Sequence, residues 1–285
     1  MGAEFAQQFP KIAARLRMDG LEVGDPYVER LLEGFAFLAA RIQLKLDAEF
    51  PRFTQRLLEI VYPNFLAPTP SMLVAQFEPD HGDAALAAGV TIARGSMLRS
   101  APHRTTGTAS QFRTSQDLTL WPLEVADASY FAHASQLPLA SVPEWRKYGG
   151  GLRIRLRAAG SADLARLELS DLRFYCTGTD EIAYKLHELI CGHCLGGFVL
   201  AATRPGGGAT PGSAFRTLDA DAVRRVGFER EHAMLPSPLP GFDGYRLVQE
   251  YFAFPHRFLF FDLCGLGPAL RDLGGSEVEV VLLFP

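Results

Sequence analysis

The stretch from Asp25 to Pro68, DPYVERLLEGFAFLAARIQLKLDAEFPRFTQRLLEIVYPNFLAP, constrains the rest of the chain more than any other. Asp25 before Pro26 is the order expected of a helix N-cap and first helical residue. Apolar side chains then fall at Val28, Leu31, Leu32, Phe35, Leu38, Ala39, Ile42 and Leu46. Steps of three and four place them along one helix face, close to a heptad. Glu29, Arg30, Glu33, Arg41 and Lys45 supply the opposite, solvated face. Phe50-Pro51 predicts a break, after which Phe53, Leu57, Ile60 and Val61 carry a second, shorter amphipathic helix. Pro63, Pro68 and Pro70 close the helical region and force extended chain. An ordinary helical hairpin buried in its own core is the plainer reading. The alternative follows from the chain beyond it, which reads almost entirely as strand. Helices collected at one end of a β-rich chain must bury their stripe on that sheet or on another protein. On the second reading Val28, Leu31, Phe35, Leu38, Ile42 and Leu46 are the candidate interface residues.

The preceding residues, 3 to 18, read as a helix with Phe5, Phe9, Ile12 and Leu16 on one face and Pro10 in its main first turn. Gly20 suits a left-handed cap at its end. From Met72 the period changes. MLVAQFE, VTIARGSML, LTLWPLEV, LRIRLRA, ARLELSDLRFYC and GFVLAAT are short runs rich in β-branched or aromatic residues and separated by turn formers. In LRIRLRA, Leu152, Ile154 and Leu156 alternate with Arg153, Arg155 and Arg157, which reads as a half-buried strand with a wet arginine face rather than an anion site. Asp180 to Cys191 reads as a helix between two strands, which suggests a small α/β layer near 151–203. GYRLVQEYFAFPHRFLFFDL, with six aromatic residues crowded between Tyr251 and Phe261, reads as an aromatic sheet core. Gly149-Gly150-Gly151 reads as a turn or bulge, and the Gly-rich stretch at 203–208 as a loop; neither is followed by the Lys and Ser/Thr of a phosphate loop. The expected fold class is α+β: an N-terminal helical region over 1–68, then a β-rich region over 69–285 with the α/β element inside it.

Bulk properties close off several functions. The net charge of −4 gives no electrostatic reason to expect nucleic acid or anionic lipid as a partner. No apolar run approaches the roughly 18 residues a membrane helix needs, and MGAEFAQQFPKIAARL lacks the pattern of a signal peptide. A cytoplasmic location is expected. Four cysteines in 285 residues do not make a disulfide framework.

One motif invites chemistry. Cys191-Gly192-His193-Cys194 has the spacing of a thioredoxin-like pair, in which a helix N-terminus stabilises the thiolate. Here it falls at the C-terminal end of the run EIAYKLHELI, where the helix dipole disfavours a thiolate. A zinc site would need further ligands from His187, Cys176 or Cys264, and structural zinc sites usually show two ligand pairs. Ordinary buried thiols are the expectation, with a redox or zinc protein built on Cys191 and Cys194 as the alternative function. His187-Glu188 does not extend to His-Glu-x-x-His, and no Gly-x-Ser-x-Gly occurs. No catalytic residue and no cofactor is predicted.

The segments FAQQFPKIAARL, DPYVERLLEGFAFLAARIQLKLDAEFPRFTQRLLEIVYP, LAPTPSM, VGFE and GYRLVQEYFAFPHRFLFF, in that order, resemble the TssF family of the type VI secretion system. The CGHC motif is not among them. Family members are about twice as long, so the resemblance marks this chain as an N-terminal half, in keeping with a sequence that stops directly after the strand-like VEVVLLF. The resemblance implies a structural baseplate wedge component and not an enzyme. It implies association of two TssF copies with one TssG, together with TssK and TssE, around the VgrG spike hub. That platform carries sheath and tube at the cytoplasmic face of the inner membrane, and no direct membrane insertion is implied. In this setting the helical stripe is expected to meet TssG or a second TssF copy.

Overall fold

The computed structural model describes residues 2–15, 26–132, 148–160, 162–201, 215–236 and 244–285. The predicted caps at Asp25 and Gly20 and the glycine-rich loop at 203–208 lie outside them. The chain divides into two compact units, Met1–Pro70 and Ser71–Pro285, and its architecture is α+β.

The first unit is helical. Two short helices, α1 (Gly2–Gln8) and α2 (Pro10–Arg15), meet at Phe9, and Pro10 opens the second. The long helix α3 spans Pro26–Val61, 36 residues, with Pro51 inside it. The predicted break at Phe50-Pro51 is therefore absent. Proline removes one main-chain N–H, but Leu46, Phe50, Phe53 and Leu57 continue the same three-and-four spacing across it. The Phe50 and Phe53 rings lie 6.5 Å apart, and the Thr54 hydroxyl donates to the Pro51 carbonyl at 2.9 Å.

The second unit opens with Met72–Glu78, in which Met72, Val74 and Phe77 are half-buried but which forms no strand and has no ladder partner among the described residues, against the prediction. Two small antiparallel pairs follow: β1 (Val90–Ile92) with β4 (Leu118–Leu120), and between them β2 (Met97–Arg99) with β3 (Gln111–Arg113). The remaining strands are β5 (Leu123–Phe131), β6 (Gly150–Ala158), β7 (Asp171–Tyr175), β8 (Gly196–Ala201), β9 (Phe215–Leu218), β10 (Val223–Arg225), β11 (Phe260–Cys264) and β12 (Glu277–Phe284). The helices among them are α4 (Asp180–Gly192), α5 (Gly244–Ala253) and α6 (Leu266–Leu273). They form a five-stranded antiparallel sheet in the order β5-β6-β12-β8-β9 and a three-stranded one in the order β10-β11-β7. Helix α4 follows β7 and precedes β8, strands that belong to different sheets.

The core follows from period-2 alternation. Leu152, Ile154 and Leu156 of β6 and Val278, Val280, Leu282 and Phe284 of β12 share one face with Leu263 of β11 and with Leu266 and Leu270 of α6. Val281 and Leu283 of β12 pack on the other face with Phe131, Phe198 and Leu200. The central strand is thus apolar on both sides, which is why VVLLF reads as an unbroken hydrophobic run. Its one acidic interior position, Glu279, is buried and held by Arg155 at 2.9 Å. Arg153 stands 3.8 Å from the same carboxylate and Arg157 pairs with Glu277. The arginine face of β6 is thus an internal ion-pair ladder between strands in register, half-buried over Arg153 and Arg155.

Two expectations fail here for packing reasons. Gly150 and Gly151 begin β6 instead of forming a turn. A Cβ on Gly151 would stand 2.5 Å from the Leu282 carbonyl, so glycine serves close approach to β12. The first half of GYRLVQEYFAFPHRFLFF is helix α5, and only Phe260–Cys264 is strand.

A candidate protein-protein interface on the long helix

Helix α3 owes its form to a proline at the first turn, an early acidic residue, Glu29, and side-chain ties along its polar face. Arg30 pairs with Glu33 at 2.9 Å, Gln43 donates to Asp47 at 2.9 Å and Gln55 to Glu59 at 3.3 Å. Such pairs support a helix by a few tenths of a kcal/mol each, about 0.2–0.5. Thirty-six residues at ~1.5 Å rise make a rod of roughly 54 Å.

All six sequence-predicted interface residues lie on this one helix, in phase. Leu31 is 73% exposed, Phe35 72%, Leu38 59%, Ile42 62% and Leu46 56%, while Val28 is half-buried. The stripe continues through Phe53, Leu57 and Ile60, each more than half exposed. No described residue of α3 is buried. Burying one such side chain is worth about 1.5–3 kcal/mol, and among the described residues that gain is left unclaimed along the whole rod. What the stripe offers is apolar area.

The cysteine motif sits where its sequence context puts it, at the C-terminal end of α4. The Cys191 thiol lies 3.4 Å from His187 Nε2. Burial, then the neighbouring Cys191, pushes the Cys176 thiol up to about 12. Burial pushes Cys191 up to about 11 and raises Cys194 as well, while burial lowers His187. These thiols stay protonated at neutral pH, the opposite of what a redox nucleophile requires. Among the described residues no group of three or more His, Cys, Asp or Glu is placed to hold a metal ion. Nothing supports the redox or zinc alternative.

One charged cluster escaped the sequence reading. On α5, Arg246 and Glu250 are 2% and 0% exposed, and Arg257 is 5% exposed. Glu250 accepts the main-chain N–H groups of Met234 at 3.0 Å and Leu235 at 2.9 Å and pairs with both arginines. Arg257 donates to the Gly227 and His232 carbonyls at 2.7 Å. Burial, then the charge of Arg246, lowers Arg257 to about 10. The i,i+4 spacing of Arg246 and Glu250 was the available signal, hidden by the aromatic residues around it.

In class, then, this is an α+β protein that carries an exposed apolar stripe on one long helix. The chain belongs to the TssF family: the family model described as "Type VI secretion system, TssF" matches residues 1–285. It is 48% identical over 283 residues to the type VI secretion system component TssF1 of Pseudomonas aeruginosa strain PAO1. That match takes in 99% of this chain and 44% of the relative, so the chain spans less than half the relative's length. A chain in the cryo-electron microscopy structure of the type VI secretion system TssK-TssF-TssG baseplate subcomplex shares the fold. Its TM-score is 0.60 at 22% identity, over 90% of this chain and 44% of that one. No helix among the described residues is long and apolar enough to cross a membrane.

Proposed function

We propose that this chain is a structural, non-enzymatic component of the type VI secretion baseplate wedge, and that α3 makes the contact that builds it in. Family membership and the fold shared with a chain of the TssK-TssF-TssG subcomplex support the setting. The observation that carries the mechanism is the open stripe of Leu31, Phe35, Leu38 and Ile42 on α3. The partner for that stripe is TssG or a second TssF copy, in a helical bundle. TssK, TssE and the VgrG spike hub complete the assembly, at the cytoplasmic face of the inner membrane. The apolar stripe supplies binding free energy by leaving water, and the polar face of the same helix sets orientation.

The test is the mass, by size exclusion with light scattering, of residues 1–285 co-expressed with the cognate TssG. A co-eluting complex is expected, lost on Phe35→Asp or Leu38→Asp. Truncating a central apolar anchor typically weakens an interface by about 2 kcal/mol or more, and a buried aspartate weakens it further. Both positions are more than half exposed, so the thermal transition of the isolated chain should not move. A complex that survives both substitutions refutes the stripe as the interface.

A further inference from the structure

From Ala84 to Gln116 the sequence holds four arginines, one histidine and no aspartate or glutamate, in a chain with 28 Lys+Arg against 32 Asp+Glu. The centre of this acid-free run is built as an arm. Strands β2 and β3 pair Met97 with Arg113, Leu98 with Phe112 and Arg99 with Gln111. Paired residues share a face, so Arg99 and Arg113 stand together on the exposed face and the half-buried Leu98 and Phe112 on the other. Arg104 lies in the turn at the tip, where the Gly107 N–H donates to the His103 carbonyl at 2.9 Å. Main-chain bonds tie the base and shaft: Gly95 N–H to the Thr114 carbonyl at 2.8 Å, and Ser100 N–H to the Ser110 carbonyl at 2.9 Å. Arg94 at the base anchors the arm by donating to the Ala233 carbonyl at 2.9 Å.

Elsewhere in this unit Arg153, Arg155, Arg157, Arg173 and Arg216 each face a carboxylate, while Arg166, Arg224, Arg225 and Arg271 make no ion pair among the described residues. Arg99, Arg104 and Arg113 have no carboxylate partner among the described residues. The hairpin main chain that carries these three arginines is already ordered by hydrogen bonds, so its backbone need not be ordered again when carboxylates arrive. The charge outside the arm selects the kind of anion. The remainder of the chain is more acidic than the whole, so an extended polyanion reaching the arm would also run along a surface that repels it. A short acidic segment meets only the arm.

We infer that the β2–β3 arm is a docking element for an acidic segment of a partner polypeptide, whose carboxylates are taken by Arg99, Arg104 and Arg113. The arm belongs to a different unit from α3, and the inference stands whether or not that helix contacts TssG. The probe is a fluorescently labelled oligoglutamate peptide, titrated with the full chain and followed by anisotropy. Binding is expected, weakening as salt screens the contact over roughly 50–200 mM. R99E/R104E/R113E should lower the affinity roughly tenfold or more, with the Arg→Gln triple variant in between. The glutamine variant decides the matter if the reversed one fails to fold by circular dichroism. No peptide binding by the wild-type chain overturns the inference, as does binding that the substitutions leave unchanged. Single-stranded DNA or phosphatidylserine vesicles, run at the same salt, overturn it if they bind more tightly than the peptide through the same arginines.

Discussion

Glu250 is the residue on which the second unit concentrates its polar interactions. It is fully buried, caps two main-chain N–H groups and faces two guanidinium groups that are themselves buried. Burying charge is unfavourable unless the charges compensate one another. Glu250→Ala therefore removes the carboxylate that faces two buried guanidinium groups and the acceptor of two main-chain N–H groups. We expect a loss of about 3–5 kcal/mol in urea unfolding of the full chain. By contrast Arg30→Ala, which removes an exposed i,i+3 pair at 2.9 Å, should change stability by less than about 0.5 kcal/mol. The sequence carried the Arg246 and Glu250 spacing. Recognising it required knowing that the charged side of α5 turns inward while Tyr245, Val248 and Phe252 stay exposed, the reverse of the usual helix.

At the scale of elements, β12 and α3 show opposite ways of using apolar residues. β12 follows the other strands of its sheet in sequence yet is central in it, and neighbours on both sides bury it. Its pairing with β6 depends on close main-chain approach at Gly151. Gly151→Ala forces a methyl group against the Leu282 carbonyl and should cost about 1–3 kcal/mol in thermal or urea unfolding. α3 spends its apolar residues on a surface. Its continuity through Pro51 was legible in principle, since the stripe keeps phase across the proline. A proline costs a helix about 3 kcal/mol, and the predicted break gave that local penalty priority over the longer pattern.

At the scale of the molecule, the large buried apolar residues among those described belong to Ser71–Pro285, and only Ala13 is buried in the first unit. A chain beginning at Ser71 is therefore expected to unfold cooperatively by near-ultraviolet circular dichroism, at nearly the transition temperature of the full chain. A broad or absent transition would mean that the helical unit contributes to the core. The sequence by itself determined the α+β class, the long amphipathic helix with its six in-phase apolar residues, α4, and the strands LRIRLRA and VEVVLLF. The helices and LRIRLRA rest on periodicity and VEVVLLF on a short apolar run, local properties that survive without knowing any neighbour. Tertiary structure alone decided that Met72–Glu78 finds no partner strand among the described residues, that Gly150 and Gly151 lie in a ladder, and that Glu250 sits between two arginines. It also decided which in-phase residues of α3 are exposed, since no local pattern encodes burial.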